Sequence, residues 1–444
     1  MSESREIHLT MDLCLRVGET LMANGAGAAD VTATMQSLAI HLGLRNAEID
    51  VTFTSLSMNF QASADDSPIA MVRQVKQRDI DYEDLTRADH LVRAVLADEL
   101  GLTEARSEAA KIASSGHQTP RWAVTVAWGV MCAGVGLMLG GDALVIGIAA
   151  LAGMTIDRLQ LVLSRRRLPT FYLQVVGGGV ATLLAVGAAA LSAEVDPSLA
   201  VTANIIMLLS GIGFMGALQD ALSGFYLTAS ARIIEAILAT AGLIAGVSGG
   251  LTVAEIAGVE IGRVVPGRVT ALDTLTVMAV GAAIAAAAFA VASYSPWRVV
   301  VPIGVIAAVA MLTGQGMGYA GFDRTWAAGV AALVIGLVAY GVAGWARVPP
   351  LVVVVSAMVP LLPGLSIFRG LSLLTSGGAA DSSRGVLAMV TAASVALALA
   401  AGVILGEYLA QPLKREARRL ESRLAGPRLV GPFRARTGGR RRTG

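Results

Sequence analysis

Arg121-Trp-Ala-Val-Thr-Val-Ala-Trp-Gly129 decides the fold, because from Trp122 onward no charged residue appears until Asp142. That run supplies the ~20 apolar residues that a helix needs to cross a hydrocarbon core ~30 Å thick. Similar runs follow, down to Gly402-Val-Ile-Leu-Gly-Glu-Tyr-Leu409. Before Arg121 the chain alternates charged and apolar residues as a small globular domain does. The chain therefore changes solvent at about residue 121, and its larger part reads as a polytopic membrane protein.

Composition agrees with this reading. Hydrophobic residues make up 55% and charged residues 15% of 444, with mean hydropathy +0.67, which excludes an ordinary soluble enzyme. The 50 glycines suit helices that must approach closely in lipid, where apolar tails supply no hydrophobic drive. The net charge of +2 hides a strongly basic C-terminus. Cys14 and Cys132 fall in different parts of the chain and imply no disulfide framework. Met1-Ser-Glu-Ser-Arg-Glu6 leads into a mixed-charge helix and not into a signal-peptide apolar run, so the spans themselves must drive insertion.

Within the N-terminal domain, residues 1–120, Ile7, Met11, Cys14, Gly18, Leu21 and Met22 recur at helical spacing, and Asn24-Gly-Ala-Gly27 ends that helix. A second helix carries Val31, Met35, Leu38 and Leu42 on one face and stops at Gly43. Ile49, Val51 and Phe53 then alternate with polar residues as in a half-buried strand. A turn at 62–68 leads to a returning strand over 69–77, and helices follow at about 84–100 and 104–115, with Thr103 as N-cap. The expected order is ααββαα, a cytosolic α+β domain.

Ten spans are drawn at about 122–140, 142–157, 171–192, 199–219 and 231–250, then 271–293, 299–315, 325–345, 349–374 and 385–409. Arg158, Arg165, Arg166 and Arg167 follow span two, whereas Glu194 and Asp196 follow span three. Alternation puts Arg232, Arg298, Arg347 and the tail on the basic side, and leaves Arg263, Arg268, Arg324 and Arg384 opposite. Basic loops stay in the cytoplasm, so both termini are expected there. Aromatics mark span ends at Phe171/Tyr172, Phe225/Tyr226, Tyr294/Trp297, Trp345 and Tyr408.

Five spans over 121–250, a connecting loop at 251–270 and five spans over 271–410 suggest duplication. An odd number of crossings per half turns the second half over, giving the inverted repeat common among secondary transporters. The glycine-rich ends Ala245-Gly-Val-Ser-Gly-Gly250 and Ala401-Gly-Val-Ile-Leu-Gly406 support it, as do the short second spans, 143–156 and 299–312. The fourth span of each half is interrupted, by Ser210-Gly-Ile-Gly-Phe-Met-Gly216 and by Pro360-Leu-Leu-Pro-Gly364. A break in lipid strands N–H and C=O groups, which is tolerated where they line a cavity. A lone Pro-Gly is ordinarily a kink, so the site reading rests on the coincidence of two. Gly242-xxx-Gly246, Gly136-xxx-Gly140 and Gly177-Gly178-Gly179 read as packing faces.

Four stretches carry a resemblance. They are Asn24-Gly-Ala-Gly-Ala-Ala-Asp-Val31 with Ala39-Ile-His-Leu-Gly-Leu44 and the strand 49–54; Arg166-Arg-Leu-Pro-Thr-Phe171; Asp220-Ala-Leu-Ser-Gly-Phe-Tyr-Leu-Thr-Ala-Ser-Ala-Arg232-Ile-Ile-Glu235; and Val359-Pro-Leu-Leu-Pro-Gly-Leu-Ser-Ile-Phe-Arg369-Gly370. Over about residues 8–410 the chain resembles the threonine/serine exporter (ThrE) family of bacterial membrane proteins. The resemblance implies a cytosolic N-terminal domain, ten spans, and export of threonine and serine coupled to the proton-motive force. One departure stands out. Ser210-Gly211 replaces the Pro-Gly expected nine residues before the aspartate, so either a softer first break or a slightly different substrate is expected.

A zwitterionic substrate needs a place for each charge. The helix opened at Pro363-Gly364 offers unpaired N–H groups and a positive dipole end to a carboxylate, and Gly211 opens its counterpart. Arg369 could add a fork of donors, or it could snorkel to a headgroup. Asp220, Arg232 and Glu235 read either as pathway residues or as an interfacial salt-bridge cluster. The candidate substrate site is thus Gly211, Asp220, Arg232, Pro363, Gly364 and Arg369. Nothing matches a Walker A motif, and His8, His41, His90 and His117 all precede the spans. A coupling proton therefore falls to carboxylates: Asp220 first, then Glu235 and Asp142, with Asp157 and Glu407 behind them.

No HExxH or CxxC occurs, and Asn24-Gly-Ala-Gly follows a helix, which is wrong for a dinucleotide fingerprint. Neither enzymatic activity, nor a cofactor, nor a metal is expected. The tail 411–444, with Arg440-Arg-Arg442, reads as a solvated, disordered basic segment against anionic lipid and not as a nucleic-acid binder. The expected partners are a small amino acid, protons and the bilayer, with a homo-oligomer left open. The alternatives are an exporter or channel for another small solute such as a dicarboxylate, and a membrane-anchored ligand sensor.

Overall fold

The computed structural model describes residues 3–63, 65–76, 78–192, 195–257, 275–375 and 379–424. Most of the expected loop at 251–270, with Arg263 and Arg268, lies outside the described residues, as do Glu194 and the tail from 425.

The N-terminal domain contains α1 (Glu3–Ala23), α2 (Ala28–His41), β1 (Glu48–Val51), β2 (Ser55–Phe60), β3 (Ile69–Gln74), α3 (Tyr82–Leu96) and α4 (Leu102–Ser114). The strands form an antiparallel sheet in the order β1-β2-β3, with Ile49 opposite Met58 and Met58 opposite Met71. The sequence reading held one strand over 49–54. The chain instead turns at Thr52, whose N–H donates to the Ser55 carbonyl at 2.9 Å, and a further strand follows. Its own alternation explains it: Leu56 and Met58 are fully buried between polar Ser55, Ser57 and Asn59. They meet Met11, Cys14 and Leu15 of α1 and Met35 and Leu38 of α2 in the domain core. Thr103 is not an N-cap. Helix α4 begins two residues earlier than expected, at Leu102 behind Gly101, whose N–H donates to the Glu104 carboxylate at 3.3 Å. Asp81 caps α3, accepting from the Glu83 and Asp84 N–H groups at 3.0 Å each.

The membrane part follows as α5 (Arg121–Met138), α6 (Ala143–Arg165), α7 (Thr170–Leu191), α8 (Pro197–Ile205), α9 (Gly211–Leu222) and α10 (Tyr226–Ile256). A second set comprises α11 (Leu275–Ala292), α12 (Trp297–Tyr319), α13 (Arg324–Ala346), α14 (Pro350–Met358), α15 (Gly364–Thr375) and α16 (Ala379–Leu424). Among the described residues, eight helices are long and apolar enough to cross a membrane, or up to ten if each bent pair is one span. Two pairs match in length: 23 residues for α6 and α12, and 9 for α8 and α14. Helix α16 runs on through Lys414-Arg-Glu-Ala-Arg-Arg-Leu-Glu to Leu424, so the backbone past Gln411 is helical where a disordered tail was expected. That stretch is rich in strong helix formers, which need no packing to continue a long helix already begun.

Helix α7 packs on α10 as α13 packs on α16. Glycine makes both contacts. A Cβ on Gly246 would lie 2.1 Å from the Val175 carbonyl oxygen, and one on Gly402 would lie 2.3 Å from that of Gly329. The outer surface is apolar, with Leu227, Val301 and Leu387 exposed, as a lipid-facing belt requires.

Candidate functional site

Both interrupted spans break in the same way. Helix α8 tightens into a 3-10 turn over Ile206–Leu208, Leu209 turns extended at ψ 133°, and α9 starts at Gly211. Helix α14 tightens over Val359–Leu361, Leu362 turns extended at ψ 139°, and α15 starts at Gly364. The bends are 47° and 49°. The first break is thus no softer than the second, although Ser210 stands where proline was expected. Here the extended residue and the facing break set the angle, and a missing N–H is not required. The breaks touch. A Cβ on Gly211 would lie 3.0 Å from Leu362 Cβ and 3.4 Å from the Gly364 nitrogen, and one on Gly364 would lie 2.9 Å from Leu209 Cβ. Two helix N-termini therefore meet at one point, each with first-turn N–H groups that have no partner in their own helix. Thr240 of α10 closes the first break from the side, its hydroxyl donating to Ser210 Oγ at 3.4 Å.

At the far end of α9 the structure brings Asp220 and Arg232 together, Arg232 Nη1 lying 2.8 Å from Asp220 Oδ2. Asp220 is 1% exposed and Arg232 is 6% exposed. The pair reaches across to the N-terminal domain. The Ala28 N–H donates to Asp220 Oδ1 at 2.9 Å, and Arg232 Nη2 donates to the Ala26 carbonyl at 3.2 Å. Asp220 is therefore the N-terminal cap of α2, supplied by another domain, because Gly27 at the N-cap has no side chain to do it.

The other sequence candidates lie elsewhere. Glu235 is exposed and sits 3.8 Å from Arg78, whose guanidinium stacks 4.2 Å over the Phe53 ring. Burial and the neighbouring Arg232 charge push Arg78 down to about 10. Asp142 is exposed and caps α6 through the Val145 N–H at 2.8 Å. Buried Asp157 accepts from Arg121 at 2.7 Å and Thr125 at 2.6 Å, which ties α5 to α6. Pro363 and Gly364 are buried at the crossing, whereas Arg369 is exposed on α15 near Arg324.

A cavity of about 600 Å³ lies between the N-terminal domain and the membrane helices, within the range of roughly 300–1,000 Å³ typical of ligand pockets. Asp30 from α2, Asp220 from α9, Tyr340 from α13, Val354 from α14 and Glu407 from α16 all line it. Burial, and then the negative charge of Asp220, raise the Asp30 carboxyl above the ordinary aspartate range. Reading the sequence missed Asp30, although it lies in the quoted Asn24–Val31 stretch, because nothing local says that this helix end faces a membrane helix.

The N-terminal domain is also held at its exit. The Tyr82 N–H donates to the Ser293 carbonyl at 2.9 Å, and His117 stacks on Tyr294 with ring centroids 3.9 Å apart. His117 pairs with Asp81, and Asp84 joins them within 4.8 Å. Burial, reinforced by the Asp81 charge, pushes Asp84 up to about 6. Asp81 is already spent on capping α3 and holding His117, so this cluster reads as a joint.

Two family models match the chain. One, described as "Putative threonine/serine exporter", matches residues 12–254, and a second, described as "Threonine/Serine exporter, ThrE", matches residues 278–409. The chain is 35% identical over 424 residues to a Mycobacterium tuberculosis protein named "Probable threonine/serine exporter", covering 94% of this chain and 80% of that one. It is 30% identical over 430 residues to the "Threonine/serine exporter" of Corynebacterium glutamicum, covering 94% and 86%. No solved structure matches.

Proposed function

The chain belongs to the threonine/serine exporter family, and from that premise we propose that it exports threonine and serine across a bacterial inner membrane, driven by the proton-motive force. Its two five-span halves form an inverted repeat, with both termini cytoplasmic. Substrate passes where the halves meet, its carboxylate received by the N-terminal ends of α9 and α15 at Gly211 and Gly364. The observation that carries this reading is the contact between those two breaks, since half-helix N-termini at a repeat interface are suited to an anionic substrate group. The coupling proton rides on a carboxylate beside the cavity, Asp220 first and Glu407 second, because both stand between the cytosolic domain and the crossing. Arg369, on the other half-helix, serves the opposite mouth.

Uptake by inside-out vesicles tests this. Labelled threonine and serine should accumulate when the vesicle interior is acid, labelled succinate should not, and a protonophore should abolish accumulation. Accumulation of succinate instead of threonine, or threonine uptake indifferent to the protonophore, would overturn the substrate or the coupling respectively.

A further inference from the structure

The interdomain cavity has two poles of opposite sign. Asp30 and Glu407 form the negative one: both line the cavity, they are close enough to feel each other's charge, and neither has a cationic partner among the described residues. The positive one is the N-terminus of α2 with the Arg232 guanidinium behind it. A carboxylate is already bound there, that of Asp220, held at 2.9 Å by the Ala28 N–H and at 2.8 Å by Arg232. Behind it, among the described residues, Arg232 Nε has no hydrogen-bond acceptor and Thr228, one helical turn earlier on α10 and 1% exposed, has a hydroxyl with no partner, while Asp220 Oδ2 meets Arg232 as an ion pair without a hydrogen bond. Buried donors without acceptors are rare unless something else is meant to fill them.

We propose that this cavity is an amino-acid site on the inward side of the breaks, where Asp30 and Glu407 take the substrate ammonium and the substrate carboxylate displaces Asp220 from the α2 N-terminus and Arg232. The inference rests on the exporter reading and deepens it, because it makes the N-terminal domain part of the substrate site. It also selects for charge. A neutral amino acid brings one charge to each pole, whereas a dicarboxylate would set its second carboxylate against Asp30 and Glu407. Displacing Asp220 would uncap α2 from α9 and so pass the occupancy of the site to the helix that begins at Gly211.

Binding to the full-length protein in nanodiscs decides the matter, with threonine, threoninamide and 2,3-dihydroxybutyrate as probes. Asp30→Asn should weaken threonine binding about tenfold, the loss of one charge-assisted contact. It should leave 2,3-dihydroxybutyrate, which has no ammonium, unweakened, and Asp30→Glu should restore threonine binding. Asp220→Asn, which removes the competing charge, should bind threonine more tightly than the wild type and threoninamide no more tightly. Unchanged threonine affinity in folded Asp30→Asn protein, beside a wild type that binds threonine, would overturn this inference alone. A wild type that binds no threonine would overturn the exporter reading with it.

Discussion

Asp220 and Arg232 form a buried pair, and such pairs are unforgiving of half-removal. Deleting one partner leaves the other charged and desolvated, at a cost of about 3–5 kcal/mol, while replacing both by apolar residues is often neutral. Asp220→Ala also removes the cap of α2, worth about 1 kcal/mol. Thermal unfolding in detergent should therefore show a large drop in midpoint for Asp220→Ala and for Arg232→Ala. Asp220→Leu combined with Arg232→Leu should recover much of it. A double variant as unstable as the singles would mean that the pair stabilises by more than mutual neutralisation. Sequence reading singled out both residues from their cost at membrane depth. It could not find their partners, because Ala28 lies 192 positions from Asp220 and is recognised by its backbone N–H. A backbone donor carries no residue-type signature.

At the scale of elements, the helix contacts are set by where a side chain is missing. Gly246 and Gly402 each sit against a neighbouring backbone carbonyl, so any Cβ there must push two helices apart. Gly187, on α7, is exposed with nothing within 4 Å of a Cβ. Gly246→Leu and Gly402→Leu should each sharply reduce the monodisperse protein recovered in size-exclusion chromatography, and Gly187→Leu should not. Equal recovery of all three would show that close backbone approach is dispensable. Apolar runs located the spans, and the paired interruptions located both breaks. Strand β2 escaped because a single alternating run was taken through Thr52, and only the Thr52–Ser55 hydrogen bond ends it there. The equal bends escaped too, since Ser210 lacks the ring that makes Pro363 an obvious breaker.

For the whole molecule, the N-terminal domain contacts one end of the helix bundle. Besides Asp220 and Arg232, the Ser293 carbonyl accepts from Tyr82, and the Arg347 carbonyl lies 2.7 Å from His90 Nε2. These are the span ends that carry Arg232, Arg298 and Arg347, the basic side of the sequence pattern. Reporters fused after Arg167 and after Tyr408 should therefore both report the compartment of the N-terminus, and one fused after Leu191 the opposite one. A reporter after Tyr408 on the far side would break the two-half arrangement.

What the sequence determined by itself is the solvent of each segment. Hydrophobicity is a property of single residues summed over ~20 positions, so the spans, the small domain ahead of them, the basic side and the two interruptions follow without a fold. Tertiary structure alone decided what meets what. It set the breaks at Gly211 and Gly364 against each other, it fitted the N-terminus of α2 over Asp220, and it opened between the two domains a cavity that gathers Asp30 and Glu407. Such encounters depend on distances between residues far apart in the chain, and no periodicity along one segment encodes the position of another.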